Sequence, residues 1–308
     1  RRQVRRRTQQ PGAAAALDPA ATPPPMRKKR TKILATIGPA SESLEVVERL
    51  ITAGVNAFRI NFSHGSTADR ERYLAAIREA QRKIDKPVAV CGDLCGPKIR
   101  VGVMPDDGIE LVAGGTLVIQ RDPVIGSGGR ISTTLRELVD LVRVGERILL
   151  ADGRISLEVT ELRPPDELVC RVLTGGVLES GKGMNLPQTS LSMSPLTEKD
   201  RADIEWIARH DFDYVALSFV QRADDVRELR QLLEAHGSDA QVIAKIEKPQ
   251  ALECIDAIIA AADGIMVARG DLGVEMDFPE VPIEQKLLAR KARQAGKPCI
   301  IATEMLES

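Results

Sequence analysis

Aromatic side chains are scarce in this 308-residue chain: one Trp, two Tyr and five Phe, 3% of all residues. A core must therefore be packed from Leu, Ile, Val and Ala. A single-strand nucleic-acid binder, which needs aromatic platforms for stacking, is disfavoured. No uninterrupted apolar run approaches the ~18–20 residues of a membrane span. Histidines number only three, and the five cysteines (Cys91, Cys95, Cys170, Cys254, Cys299) form no C-x-x-C pair. Neither a zinc ribbon nor a disulfide framework is indicated, so the thiols read as small buried hydrophobes in a reducing cytoplasm. The glycine fingerprint of a dinucleotide-binding sheet is also absent. Net charge is close to nil at −1, but it is unevenly spread. Residues 1–32 hold ten of the 43 Lys and Arg and one of the 44 Asp and Glu, leaving an acidic body unsuited to polyanions.

The basic segment lacks the apolar stretch of a secretory signal. Its Arg-rich, acid-poor bias has something of an organelle transit peptide, but the simpler reading is a disordered leader over residues 1–27, with Met26 as a possible start. Beyond it, short apolar runs alternate with amphipathic stretches. Strands are expected at Ile33–Ile37, Asn56–Phe62, Val88–Leu94, Tyr214–Val220, Gln241–Glu247, Gly264–Arg269 and Pro298–Thr303. Helices are expected between them, at Ser43–Ala53, Thr67–Ile84, Thr197–His210, Ala223–His236, Pro249–Ala262 and Ile283–Ala295. Continuous Val/Ile/Ala runs joined by helices mean buried parallel strands with right-handed crossovers. Seven such strands fit an α/β fold of the TIM (β/α)8 type, incomplete by one unit, over 28–96 and 190–308.

The segment between differs. Fourteen of the 24 glycines lie from Gly96 to Gly183, and Ile109–Gln120, Arg147–Glu161 and Leu168–Leu173 alternate with period two. With a hairpin turn at Asp152-Gly153, residues 97–189 read as an inserted small all-β domain. Inserted after the third barrel strand, it would sit over the C-terminal mouth where barrel active sites are built, and act as a lid.

Polar residues at strand ends are the candidates for chemistry, because a rigid barrel scaffold positions the loops there. Arg59, Asn61 and Ser63 share one face at period two, Asp93 ends the third strand, and Lys245 and Glu247 share a face of the fifth. Asp271 follows the sixth, in Arg269-Gly270-Asp271. Singly, Lys245 and Glu247 could be a strand salt bridge and Asp271 a helix cap. Together they are harder to dismiss, because charge inside a barrel costs several kcal/mol unless paired or metal-bound. Glu247 and Asp271 beside Lys245 and Arg59 suit Mg²⁺ with a phosphorylated anion, the carboxylates for the metal and the arginine fork for phosphate. Backbone N–H groups at Gly270-Asp271 could add to the anion site.

Seven strings, TKILATIGPAS (31–41), FRINFSHG (58–65), GDLCGPKIR (92–100), GKGMNLP (181–187), KIE (245–247), ARGDLGVE (268–275) and IIATEMLES (300–308), resemble the pyruvate kinase family in order and spacing. The resemblance implies phosphoryl transfer from phosphoenolpyruvate to ADP in glycolysis, giving pyruvate and ATP, with Mg²⁺ or Mn²⁺ as cofactor. By position, it makes Arg59 the phosphate-binding arginine and Lys245 the lysine that neutralises the transferred phosphoryl group. Glu247 and Asp271 become the Mg²⁺ ligands, while Gly270 and Thr303 hold the enolpyruvate carboxylate and help deliver the proton. Asn61, Ser63 and Asp93 match monovalent-cation ligands, and His64, Arg100 and Lys182 match nucleotide-side positions. It further implies a cytoplasmic homotetramer at full length, with no nucleic-acid or membrane partner.

Two departures stand out. Potassium-dependent members carry Glu where this chain has Lys98, and Thr where it has Leu94. A fixed ammonium at Lys98 is expected to replace the bound ion, so that K⁺ is not required; a solvated surface lysine is the plainer alternative. The family also continues past the seventh strand, so this piece alone is expected to be poorly stable and nearly inactive. An Mg²⁺-dependent 2-oxo-acid aldolase or lyase barrel, or a non-catalytic ligand-binding fragment, are the rival readings.

Overall fold

The computed structural model describes residues 30–189 and 194–303. The expected leader (1–27) and the end of the last motif (304–308) lie outside the described residues. The chain opens with three βα repeats' worth of strand: β1 (Leu34–Thr36), α1 (Leu44–Ala53), β2 (Ala57–Asn61), α2 (Thr67–Ile84) and β3 (Ala89–Asp93). Local chemistry sets these boundaries. Ser43 caps α1 by accepting from the Val46 amide, and Gly54 ends it at φ 115°, a left-handed conformation that glycine adopts without a Cβ clash. Ser66 and Asp69 form a reciprocal capping box at the start of α2, satisfying two otherwise orphaned amides.

A segment follows that is antiparallel except for its parallel β5–β6 pair, with β4 (Ile109–Leu111), β5 (Thr116–Gln120), β6 (Arg130–Ser132), the single-turn α3 (Leu138–Leu141) and β7 (Arg147–Leu150). It continues through β8 (Ile155–Arg163), β9 (Glu167–Thr174), β10 (Gly176–Leu178) and β11 (Met184–Asn185). Six of these strands join in the order β11-β7-β8-β9-β5-β6, while β4 pairs with β10. Leu150 pairs with Ile155 across a hairpin in which Ala151, Asp152 and Gly153 all have positive φ, so the turn expected at Asp152-Gly153 is present. The segment encloses its own apolar core, including Leu117, Ile119, Ile148, Leu157 and Leu168.

The βα alternation then resumes: α4 (Glu198–Ala208), β12 (Tyr214–Leu217), α5 (Ala223–Ala235), β13 (Gln241–Ile246), α6 (Pro249–Glu253) and α7 (Ile255–Ala261). It ends with β14 (Gly264–Ala268), α8 (Arg269–Glu275), a 3₁₀ turn (Phe278–Glu280), α9 (Val281–Gln294) and β15 (Cys299–Ala302). The helix expected over Pro249–Ala262 is thus two helices, divided where Cys254 leaves helical geometry at φ −109° and ψ 14°. The strand expected to reach Arg269 stops one residue earlier, because Arg269 already opens α8. Cys91 and Cys170 are buried as expected, whereas Cys254 is exposed and Cys95 and Cys299 are half-buried.

Among the described residues seven strands form one parallel sheet in the order β1-β2-β3-β12-β13-β14-β15. Its two faces separate by the strand period of two. Phe58, Ile60, Val90, Val215, Leu217, Val242, Ala244, Ile265 and Val267 pack toward the helices. On the other face Cys91, Ala216, Ile243 and Met266 make a small inner cluster, which Leu34 of β1 and Ile300 and Ala302 of β15 also join. Both outer strands reaching one inner cluster requires the sheet to curl, which makes the fold an incomplete βα barrel of seven strands. The next inward residue on β3 and β13 is Asp93 and Lys245, so the lining changes from apolar to charged at the C-terminal strand ends. Among the described residues no helix is long and apolar enough to cross a membrane.

Candidate active site

The charged inner layer centres on Lys245, nine-tenths buried. Its Nζ lies 2.9 Å from Glu247 Oε1 and 3.1 Å from Asp93 Oδ1, and donates to Ser218 Oγ at 2.6 Å. Burial works against the ammonium, but the charges of Glu247 and Asp93 outweigh it and raise the lysine's pKa. Lys245 is therefore a fixed positive charge. The Ser218 hydroxyl in turn donates to the Leu94 carbonyl at 2.8 Å, which leaves its oxygen lone pairs for the ammonium.

Asp93 is shared between two cations. Arg59 Nε meets its Oδ2 at 2.5 Å while Lys245 faces its Oδ1, and Arg59 Nη1 donates to Thr36 Oγ1 at 3.1 Å. One quarter of the Arg59 side chain stays exposed toward the cleft. Beneath this layer, burial and the Asp93 charge push the Cys91 thiol up to about 12, so it stays protonated and adds no charge.

Glu247 is fully enclosed, and its Oε2 accepts the Phe219 amide at 2.9 Å. Burial pushes its carboxyl above the usual carboxylate range, and the nearby Asp271 charge adds to that shift while Lys245 opposes it. A buried carboxylate whose ionised form is opposed by a neighbouring negative charge is part of a donor set that gains from a divalent cation. Asp271 itself is exposed on the first turn of α8. The Phe219 amide is aimed by backbone geometry, since Phe219 has φ 57°. Gly96, at φ +68°, lies so close that an added Cβ would stand 2.6 Å from Phe219 Cδ2. Gly96→Ala is thus expected to destabilise the protein by ~1–3 kcal/mol, read as a lower urea midpoint; an unchanged midpoint would show that the Phe219 ring yields freely.

An open cleft of about 520 Å³ gathers Arg59, Asn61, Ser63, His64, Asp93, Lys98, Arg100, Lys245, Glu247 and Asp271, with Ser218 and Phe219. Three expected residues are placed otherwise. Lys182 pairs with Glu179 at 2.7 Å in its own loop. The Gly270 amide donates to Thr303 Oγ1 at 2.9 Å, so those two residues meet each other and do not line this cleft. Within the cleft, Asn61 Oδ1 accepts the Ser63 amide at 3.0 Å, and Arg100 Nη1 donates to the Gly181 carbonyl at 2.8 Å. Lys98 is exposed and leans toward the antiparallel segment, its Cε 3.3 Å from where a Gly183 Cβ would stand. Ser218 and Phe219 escaped the sequence reading. Ser218 was within reach of it, two residues beyond the inward Ala216 on the same strand face.

A curled parallel sheet with a charged cleft at its C-terminal rim defines a βα-barrel protein whose cleft lies where such barrels build their active sites. The comparisons narrow this further. Residues 28–308 match the family model described as the pyruvate kinase barrel domain, and the chain belongs to the pyruvate kinase family. It is 50% identical over 283 residues to a pyruvate kinase of Geobacillus stearothermophilus, covering 91% of this chain and 48% of that protein. A Bacillus licheniformis pyruvate kinase is 45% identical over 282 residues, with the same coverage. A solved pyruvate kinase from Cryptosporidium parvum superposes with a TM-score of 0.86 at 37% identity, over 90% of this chain and 58% of that one. The chain spans about half the length of the curated relatives it matches.

Proposed function

We propose that the full-length protein transfers the phosphoryl group of phosphoenolpyruvate to ADP and releases pyruvate, as a glycolytic enzyme of the cytoplasm. The observation that carries this reading is the convergence of Lys245, Arg59, Glu247 and Asp271 on one cleft. Phosphoryl transfer asks little covalent chemistry of a protein; it asks for in-line positioning and for positive charge where negative charge gathers. Arg59, oriented by Asp93 and Thr36, grips the phosphate. Lys245, fixed by three oxygens, faces the transferring group. Glu247 and Asp271 would hold Mg²⁺ (or Mn²⁺), which when bound supplies electrostatic stabilisation of phosphate and enolate oxygens. Gly270 and Thr303 serve the enolpyruvate carboxylate and the proton, which requires the Thr303 hydroxyl to release the Gly270 amide. His64, Arg100 and Lys182 serve the nucleotide side. Residues 97–189 act as a lid whose motion would carry Lys182 to the cleft. Homotetramer formation rests on the resemblance alone.

ADP-dependent release of pyruvate tests the reading. Release without ADP would instead favour an aldolase or lyase, and phosphoenolpyruvate binding without turnover a non-catalytic module. The same assay decides the role of Lys98. Asp93 is held by Arg59 and Lys245, and Lys98 lines the cleft from its exposed edge, positioned to supply a standing positive charge. Rates in K⁺ and in a bulky inert cation are expected to agree within about twofold, whereas tenfold activation by K⁺ would overturn the fixed-charge role.

A further inference from the structure

Two of the sequence motifs, and the lysine that follows a third, each contribute one residue to a buried junction that the reaction above does not use. Glu275, on α8, has a side chain only 2% exposed. Its Oε1 lies 3.1 Å from Lys248 Nζ and accepts from Asn185 Nδ2 at 2.8 Å. Its Oε2 is buried and, among the described residues, has no hydrogen-bond partner. Lys248 follows Glu247 directly in the chain. Asp271 precedes Glu275 by four residues on the same helix, and residues so spaced share a helix face. Asn185 comes from β11, in the antiparallel segment. Asn185, Lys248, Glu275 and Asp271 line one further pocket.

We propose that Glu275 is a positioning residue that sets the two metal-binding carboxylates, and does so in response to the seating of the inserted segment. This rests on the metal role assigned to Glu247 and Asp271 above. The Lys248–Glu275 pair ties the end of β13 to α8, and so fixes Glu247 relative to Asp271. A buried carboxylate oxygen without a partner is unfavourable, so Glu275 depends on the donors it has. When Asn185 is in place the junction is tightest; when the insert moves away Glu275 loses one of two donors and α8 loosens. Partners outside the ligand set orient metal ligands in this way, and their loss typically weakens metal binding by ~10–100-fold.

Binding of Mn²⁺ alone to the full-length protein, followed by loss of the free-ion electron paramagnetic resonance signal, tests the proposal. Glu275→Gln keeps the shape, removes the charge, and is expected to weaken Mn²⁺ binding by ~10–100-fold with cooperative thermal unfolding retained. Asn185→Leu keeps the buried ion pair and is expected to weaken binding by roughly threefold or more, with faster deuterium uptake across residues 269–276. Should Glu275→Gln fail to fold, Asn185→Leu decides alone. Folded variants that bind Mn²⁺ within about twofold of the parent would overturn the proposal. Glu247→Gln is the control: if it leaves Mn²⁺ binding intact, the metal reading of the site fails; if it abolishes binding while Asn185→Leu and Glu275→Gln do not alter it, only the positioning role fails.

Discussion

Replacing Lys245 with methionine is expected to slow pyruvate formation by the full-length protein at least 10²–10³-fold, roughly the loss seen when one preorganised electrostatic contact to a transition state is removed. Methionine matches much of the lysine's length and volume, so the effect reports charge more than shape. The loss should also be visible in stability. Asp93 and Glu247 would be left facing each other without the ammonium that lies 3.1 Å and 2.9 Å from them. Stripping one partner from a buried ion pair typically costs ~3–5 kcal/mol. Because Arg59 still holds Asp93 Oδ2, and the Phe219 amide still holds Glu247 Oε2, both acids keep part of their support. Turnover measured on the folded fraction separates the two effects. A variant within threefold of the parent would refute the role given to Lys245.

Loss of either acid at the rim is the second large effect. Glu247→Gln and Asp271→Asn are each expected to lower turnover by at least about 10²-fold, on the scale of a lost preorganised contact. They should also shift the Mg²⁺ requirement to higher concentration, because a Mg²⁺ held by these two carboxylates loses one of its two side-chain donors. The two variants differ in a useful way. Glu247 is enclosed and pairs with Lys245, so its replacement disturbs packing as well as chemistry. Asp271 is exposed, so Asp271→Asn should keep the parent's melting behaviour while losing metal response. Rates titrated with Mg²⁺, beside a thermal melt, check this. An Asp271→Asn protein with unchanged Mg²⁺ dependence would remove that residue from the metal site.

The sequence carried the scaffold because two physical periods are written into it. Runs such as Val242–Ile246 could only be buried strands, and their joining helices carried recognisable caps, Ser66 with Asp69 among them. The period of two also placed Lys245 and Glu247 on one face, where they meet at 2.9 Å. What escaped was set by features without a period. The left-handed Phe219, which aims an amide at Glu247 and whose ring lies against Gly96, is a non-glycine residue in a conformation that no local pattern announces. Lys182 was placed by a motif, yet its side chain follows its nearest carboxylate, Glu179. The junction of Asn185, Lys248 and Glu275 joins residues distant in the chain, and no local pattern announces it.

Anomalous diffraction from crystals of the full-length protein grown with Mn²⁺ and phosphoenolpyruvate would be the most direct trial. One strong peak is expected between the carboxylates of Glu247 and Asp271, with the ligand's phosphate against Arg59 and Lys245. A metal bound elsewhere, or a phosphate beyond the reach of Lys245, would contradict the shared site.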